Sequence, residues 1–195
     1  MLEEYIVALR VAYPRLRLVP KSESRLCALI DRALRVLTLG GQSAFMKRYV
    51  TTLDQTIYLP SDWEGRSEAA RYEVMRHEAV HLRQFRRLGL PWMAFLYLLP
   101  FFPLGLAWGR ARLEWEAYAE SLRARAELAG IEAAADPEYR AYIVRQFSSS
   151  AYGWMWPFPS QVGRWIDREL ATLRAQALDS ASGPSPAPAG RSAPR

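Results

Sequence analysis

This 195-residue chain has only two histidines, and they stand four residues apart with a glutamate directly after the first: His77-Glu78-Ala79-Val80-His81. That spacing calls for a helix. Residues i and i+4 share a helical face, so both imidazoles can reach one metal ion, and Glu78 flanks that ion where it can take a proton from water. Chance placement of two histidines and one glutamate in this order is on the order of one in a thousand. The bland alternative is a surface helix carrying two solvated histidines.

Half of the chain is apolar, enough to bury one substantial core, and nothing calls for a second folded domain. Residues 1–178 are expected to form one domain, and 179–195, rich in Pro, Ala and Ser, a disordered tail. The single cysteine, Cys27, excludes an internal disulfide and fits a reducing compartment as a buried thiol. The start, MLEEYIVALRV, has acidic residues where a secretion signal needs positive charge, so a cytoplasmic protein is expected. The net charge of +6 comes from 26 Lys and Arg, of which only Lys21 and Lys47 are lysine. The arginines are spread along helices, which speaks against nucleic acid, although Arg83, Arg86 and Arg87 form a patch that can face phosphates or anionic headgroups.

Residues 2–12 and 24–39 read as helices, the second capped by Ser22 or Ser24 and stopped by Gly40-Gly41. Residues 45–60 read as a hairpin of two short strands around Asp54-Gln55, and Ser67 as the N-cap of a helix running through HEAVH to about Arg87. Helices are expected over 110–129, ended by Gly130, from Asp136-Pro137 to Phe147, and over 160–178. The fold class is therefore α+β, mainly helical, with a small antiparallel hairpin before the HExxH helix.

Residues 88–108 carry no charge and are flanked by arginine, a length that suits a membrane span. Pro91, Pro100 and Pro103 break such a helix, and a span would put the HExxH helix and the next helix on opposite sides of the bilayer. The readings, in order, are a buried or partly buried connector, a re-entrant or surface membrane contact, and last a true span.

A catalytic metal site usually takes three protein ligands, and with no third histidine a carboxylate must complete it. On the 110–129 helix the apolar stripe is Ala111, Trp115, Tyr118, Leu122, Ala126 and Ala129. Glu114 lies about 60° to 80° from its centre, and Glu116 and Glu120 about 120° to 180°, so Glu114 points inward and the other two toward solvent. The alternative for Glu114 is a boundary carboxylate paired with Arg110 or Arg125.

HEAVH followed by Arg112-Leu113-Glu114-Trp115-Glu116-Ala117-Tyr118 resembles the gluzincin zinc metallopeptidases, especially the minigluzincins and the cores of CAAX prenyl protease-type enzymes, over residues 43–125. The resemblance implies a zincin fold, zinc held by His77, His81 and Glu114, Glu78 as general base, and an edge strand that aligns an extended peptide, with 56–60 nearest the helix. Tyr118 stands where the family has an Asp that hydrogen-bonds a ligating histidine; a phenol there can act as the acceptor. The electrophile facing the tetrahedral oxyanion is commonly His or Tyr, which nominates Tyr152; alternatively Tyr152, Trp154 and Trp156 cap the core. The implied activity is a zinc-dependent endopeptidase acting on a peptide or protein substrate. The competing readings are a catalytically weak or inactive zinc-binding protein acting through partner or membrane-surface binding, and a membrane-surface module with a structural metal.

Overall fold

A computed structural model of the chain describes residues 1–37, 45–98, 107–149 and 155–181. Helix α1 (Leu2–Ala12) aligns Leu2, Ile6 and Leu9 on one buried stripe. Strand β1 (Arg17–Pro20) follows. Helix α2 (Arg25–Leu37) is capped by Ser24, whose Oγ accepts from the Cys27 amide at 3.2 Å; its expected stop, Gly40-Gly41, lies outside the described residues. A single turn, α3 (Phe45–Arg48), replaces the first part of the expected hairpin. Strands β2 (Thr51–Leu53) and β3 (Thr56–Leu59) then pair antiparallel across Asp54-Gln55, with Asp54 at φ 51°, a left-handed conformation that Asp tolerates.

The sheet differs from the expected hairpin. Strand β1 pairs in parallel with β3, giving the order β1-β3-β2, so the sheet is mixed. Thr56–Leu59, expected to lie nearest the helix as the substrate-aligning edge, is the central strand, and Ile57 is fully buried. The long-range pairing of a four-residue strand ending in proline leaves no local signal.

Helix α4 (Glu68–Leu98) starts on Ser67, whose Oγ accepts from the Ala70 amide at 3.2 Å. It breaks at Gly89, where φ 75° and ψ 162° define a conformation essentially confined to glycine, two residues before Pro91. Helix α5 (Trp108–Ala129) ends on Gly130 at φ 86°. The short α6 (Ile131–Ala134) leads to α7 (Pro137–Ser148), capped by Asp136, which accepts from the Tyr139 amide at 2.8 Å. Helix α8 (Pro159–Ala181) runs three residues past the expected boundary at 178; residues 182–195 lie outside the described ones.

The α+β chain has two main apolar clusters. One joins α1 and β3 to the inner face of α4 through Ile6, Leu9, Ile57, Met75 and Leu82. The other joins α5, α7 and α8 through Leu122, Ile143, Phe147, Val162 and Ile166. The seam where α4 meets α5 lies between them. Among the described residues no helix is long and apolar enough to cross a membrane.

Lys21 is an unusual core residue. Only 1% exposed, it donates from Nζ to the Phe45 carbonyl at 2.9 Å and sits 3.4 Å from the centre of the Phe45 ring. Burial lowers its pKa to about 8, against the pull of charge on Cys27, Glu78 and Asp31. Between pH 8 and the ordinary lysine value the unfolded chain holds a proton that the folded chain has released, so stability rises with pH across that window. Lys21→Met removes this dependence. Relative to the wild type, the variant should gain about 2–3 kcal/mol less stability between pH 7.5 and 10.5, by urea unfolding at both pH values. A difference that stays constant would contradict the assignment.

Candidate metal centre

The two histidines lie one turn apart on α4, their rings 5.1 Å apart at 72°. Glu114 comes from α5, as the helical wheel requires, with its side chain only 6% exposed. Its Oε2 is 3.7 Å from His77 Nε2 and 3.9 Å from His81 Nε2, and ligand atoms of all three residues lie within 4.8 Å of one another. These separations are too long for direct hydrogen bonds. The 3.7 and 3.9 Å distances from Glu114 lie closest to the roughly 3.3 Å between ligand atoms placed tetrahedrally about 2.0–2.1 Å from one ion. The group can hold a metal ion.

Both rings are oriented from behind. His77 Nδ1 lies 3.1 Å from Ser121 Oγ, whose own hydrogen goes to the Ala117 carbonyl at 3.3 Å, leaving a lone pair for an Nδ1–H. His81 Nδ1 lies 2.9 Å from Gln84 Oε1. The Gln84 amide donates at 3.0 Å both to the Leu113 carbonyl and to Glu116 Oε2, which fixes its oxygen toward His81. In this tautomer each Nε2 presents a lone pair toward Glu114. Tyr118, expected as the acceptor for a ligating histidine, meets His77 ring to ring, edge-on at 4.8 Å; the Nδ1 partner is Ser121. The Tyr118 ring packs against the imidazole, and the serine one turn later supplies the oxygen.

Electrostatics favour a cation here. Burial acts to raise Glu114, but His77, His81 and Arg110 outweigh it and hold the carboxyl at about 2. Burial acts to lower His77, and the neighbouring Glu114 and Glu78 charges overcome it, leaving the imidazole above its ordinary value. The negative charge that draws a proton to His77 equally draws a metal ion between the three groups. Arg125 donates to the Ala133 carbonyl and Glu73, whereas Arg110 lies over the Tyr97 ring at 5.6 Å and its charge also acts on Glu114, whose Oε2 faces the two histidines.

The helices are held in register by polar contacts on either side of the site. Arg76, one residue before His77, donates to Glu120 at 2.6 Å and to Glu127 at 2.7 Å. Glu120 is therefore no solvated surface charge: its side chain is 13% exposed. Glu116, also expected in solvent, is one-third exposed and carries the Gln84 contact.

Glu78 is buried, and its Oε2 accepts from Thr52 Oγ1 at 2.6 Å. This ties the motif to β2, an outer strand of the sheet, so the strand beside the candidate base is Thr51–Leu53 and not 56–60. Tyr152 and Trp154 lie outside the described residues; Trp156 packs on the α5–α8 core, as the capping alternative for it requires.

A phenol absent from the sequence reading also enters the site. Tyr97, on α4 beyond the Gly89 break, donates to Glu114 Oε1 at 2.7 Å, leaving Oε2 to the histidines. Burial and then the Glu114 charge raise its pKa well above the usual range, so it remains a proton donor. Tyr97→Phe is expected to weaken metal binding by roughly 10–100-fold without loss of fold, measured by competition with a fluorescent chelator. Unchanged affinity would mean that Tyr97 does not support Glu114. Compared with known proteins, the chain matches no family model, no curated protein and no solved structure.

Proposed function

We propose that this chain is a zinc-dependent endopeptidase of gluzincin type. The observation that carries the reading is the meeting of His77, His81 and Glu114 from two helices, with Glu78 beside them on the same turn of α4. Two imidazoles and one carboxylate, leaving a further position open, are a donor set suited to catalytic zinc. When bound, zinc supplies Lewis acidity toward water and the scissile carbonyl. Glu78 accepts the proton from the attacking water and returns it to the leaving amine. The Thr52 hydroxyl engages one Glu78 oxygen, which leaves the other to face water. An extended substrate can add to the outer edge of β2, its backbone aligned by strand hydrogen bonds past Glu78. Tyr152 is the proposed donor to the tetrahedral oxyanion, and the lone buried thiol of Cys27 fits a cytoplasmic site of action.

A second reading, a zinc protein with little hydrolytic power, is favoured by one contact. The neutral Ser121 hydroxyl, in place of a carboxylate, makes His77 a less basic ligand. Incubation with unfolded casein separates the two. Fragments that disappear with a chelator and return with added zinc support the peptidase; a zinc-loaded protein that cleaves nothing supports the second reading.

A further inference from the structure

The part of α4 beyond Gly89 has two faces. Inward, Met93 is buried and packs with Phe85 and Leu113, with Leu96 and Tyr97 beside them. Outward stand Leu90 at 51%, Trp92 at 62% and Phe95 at 51% exposure, the two aromatic rings in edge contact at 5.5 Å. The start of α5 closes against this segment, since a Cβ on Gly109 would lie 2.6 Å from Leu96 Cδ2, and that approach brings Trp108, 62% exposed, to the same end of the molecule. Large apolar side chains gathered this way in water mark a surface that meets something apolar.

The charge around them says what. Arg87 and Arg112, the latter one turn beyond Trp108, have side chains 64% and 66% exposed. Glu116 stands 3.8 Å from each and offsets only part of their charge. The same arginines border a cleft of about 760 Å³ between α4, α5 and α8, lined also by Arg83 and Arg86, while Arg123 in its wall is paired with Glu169 at 2.7 Å. Tryptophan and phenylalanine on an exposed face, beside arginines with room for phosphate, match the interface of an anionic bilayer.

We propose that residues 90–97 and the beginning of α5 form a docking face for an anionic phospholipid surface. Trp92, Phe95, Leu90 and Trp108 enter the headgroup region, and Arg86, Arg87 and Arg112 engage phosphates. Docking requires no hydrolytic activity and stands or falls separately from the peptidase reading.

Flotation of the full chain with vesicles of phosphatidylcholine, with and without phosphatidylglycerol, tests it. Binding is expected only to the phosphatidylglycerol vesicles and should fall as salt rises. Joint replacement Trp92→Ser and Phe95→Ser should weaken it at least about tenfold, and so should Arg87→Gln with Arg112→Gln. These side chains are exposed, so unchanged thermal melts verify the fold of each variant. No binding, equal binding to both vesicle types, or binding untouched by the variants overturns the proposal. So does loss of binding with Leu29→Ser, which alters the separate exposed apolar face of α2. Sedimentation at the same concentration provides a further check: a dimer dissolved by Trp92→Ser and Phe95→Ser would assign the face to a second copy instead.

Discussion

Glu78→Gln is expected to leave metal content and fold intact while lowering peptide hydrolysis by roughly 10²–10⁴-fold. Glutamine has the size of glutamate and can still accept from Thr52 Oγ1, so β2 keeps its hold on α4. What disappears is the capacity to take a proton. The side chain contributes none of the three converging ligand atoms, so metal affinity should stay near that of the wild type. Cleavage of an extended fluorogenic peptide, with metal content measured on the same samples, reads both effects. Full activity in the Gln variant would remove Glu78 as the base; loss of metal along with activity would place Glu78 among the ligands.

The second large effect concerns the carboxylates of α5. Glu114→Ala should weaken metal binding by more than the roughly 10–100-fold that loss of a supporting residue costs, because it deletes one of the three converging donor groups and leaves Tyr97 facing an empty space. Glu116→Ala should fall within that range, since it frees the Gln84 amide that orients His81. Glu120→Ala should leave affinity almost unchanged and lower stability by about 1–2 kcal/mol, because Arg76 loses one of its two carboxylate partners. Chelator competition ranks the three. A ranking with Glu116 first would mean that α5 is rotated relative to α4 from the arrangement described here.

The contrast between what the chain discloses and what it hides follows from where each signal lies. His77, His81 and Glu114 are legible because helical phase is a local property: four residues separate the histidines, and an apolar stripe fixes which glutamate faces inward. The caps at Ser67 and Asp136 are equally local, a hydroxyl or carboxylate placed before a helix. Strand β1 is not legible, because its pairing with β3 joins residues some forty positions apart and only the finished sheet reveals it. Ser121 and Gln84 lie between these cases. Gln84 is three residues after His81 and Ser121 seven after Glu114, so both follow the candidate ligands on the same helical faces. A polar residue at those spacings, buried among apolar ones, is a signal that could have been read as support for the histidines. Tyr97 gives no such sign. In an uncharged run it counts as another apolar residue, and only the turn at Gly89 brings its hydroxyl back onto Glu114.

The central claim is that one metal ion is held by two imidazoles from α4 and one carboxylate from α5. X-ray absorption at the zinc edge of the zinc-loaded protein tests it most directly. Nitrogen and oxygen ligands at about 2.0–2.1 Å are expected, with outer-shell scattering that corresponds to two imidazoles and falls to one in His81→Ala. A sulfur ligand at about 2.3 Å, which only Cys27 or a methionine could supply, or a spectrum unchanged by His81→Ala, would contradict it.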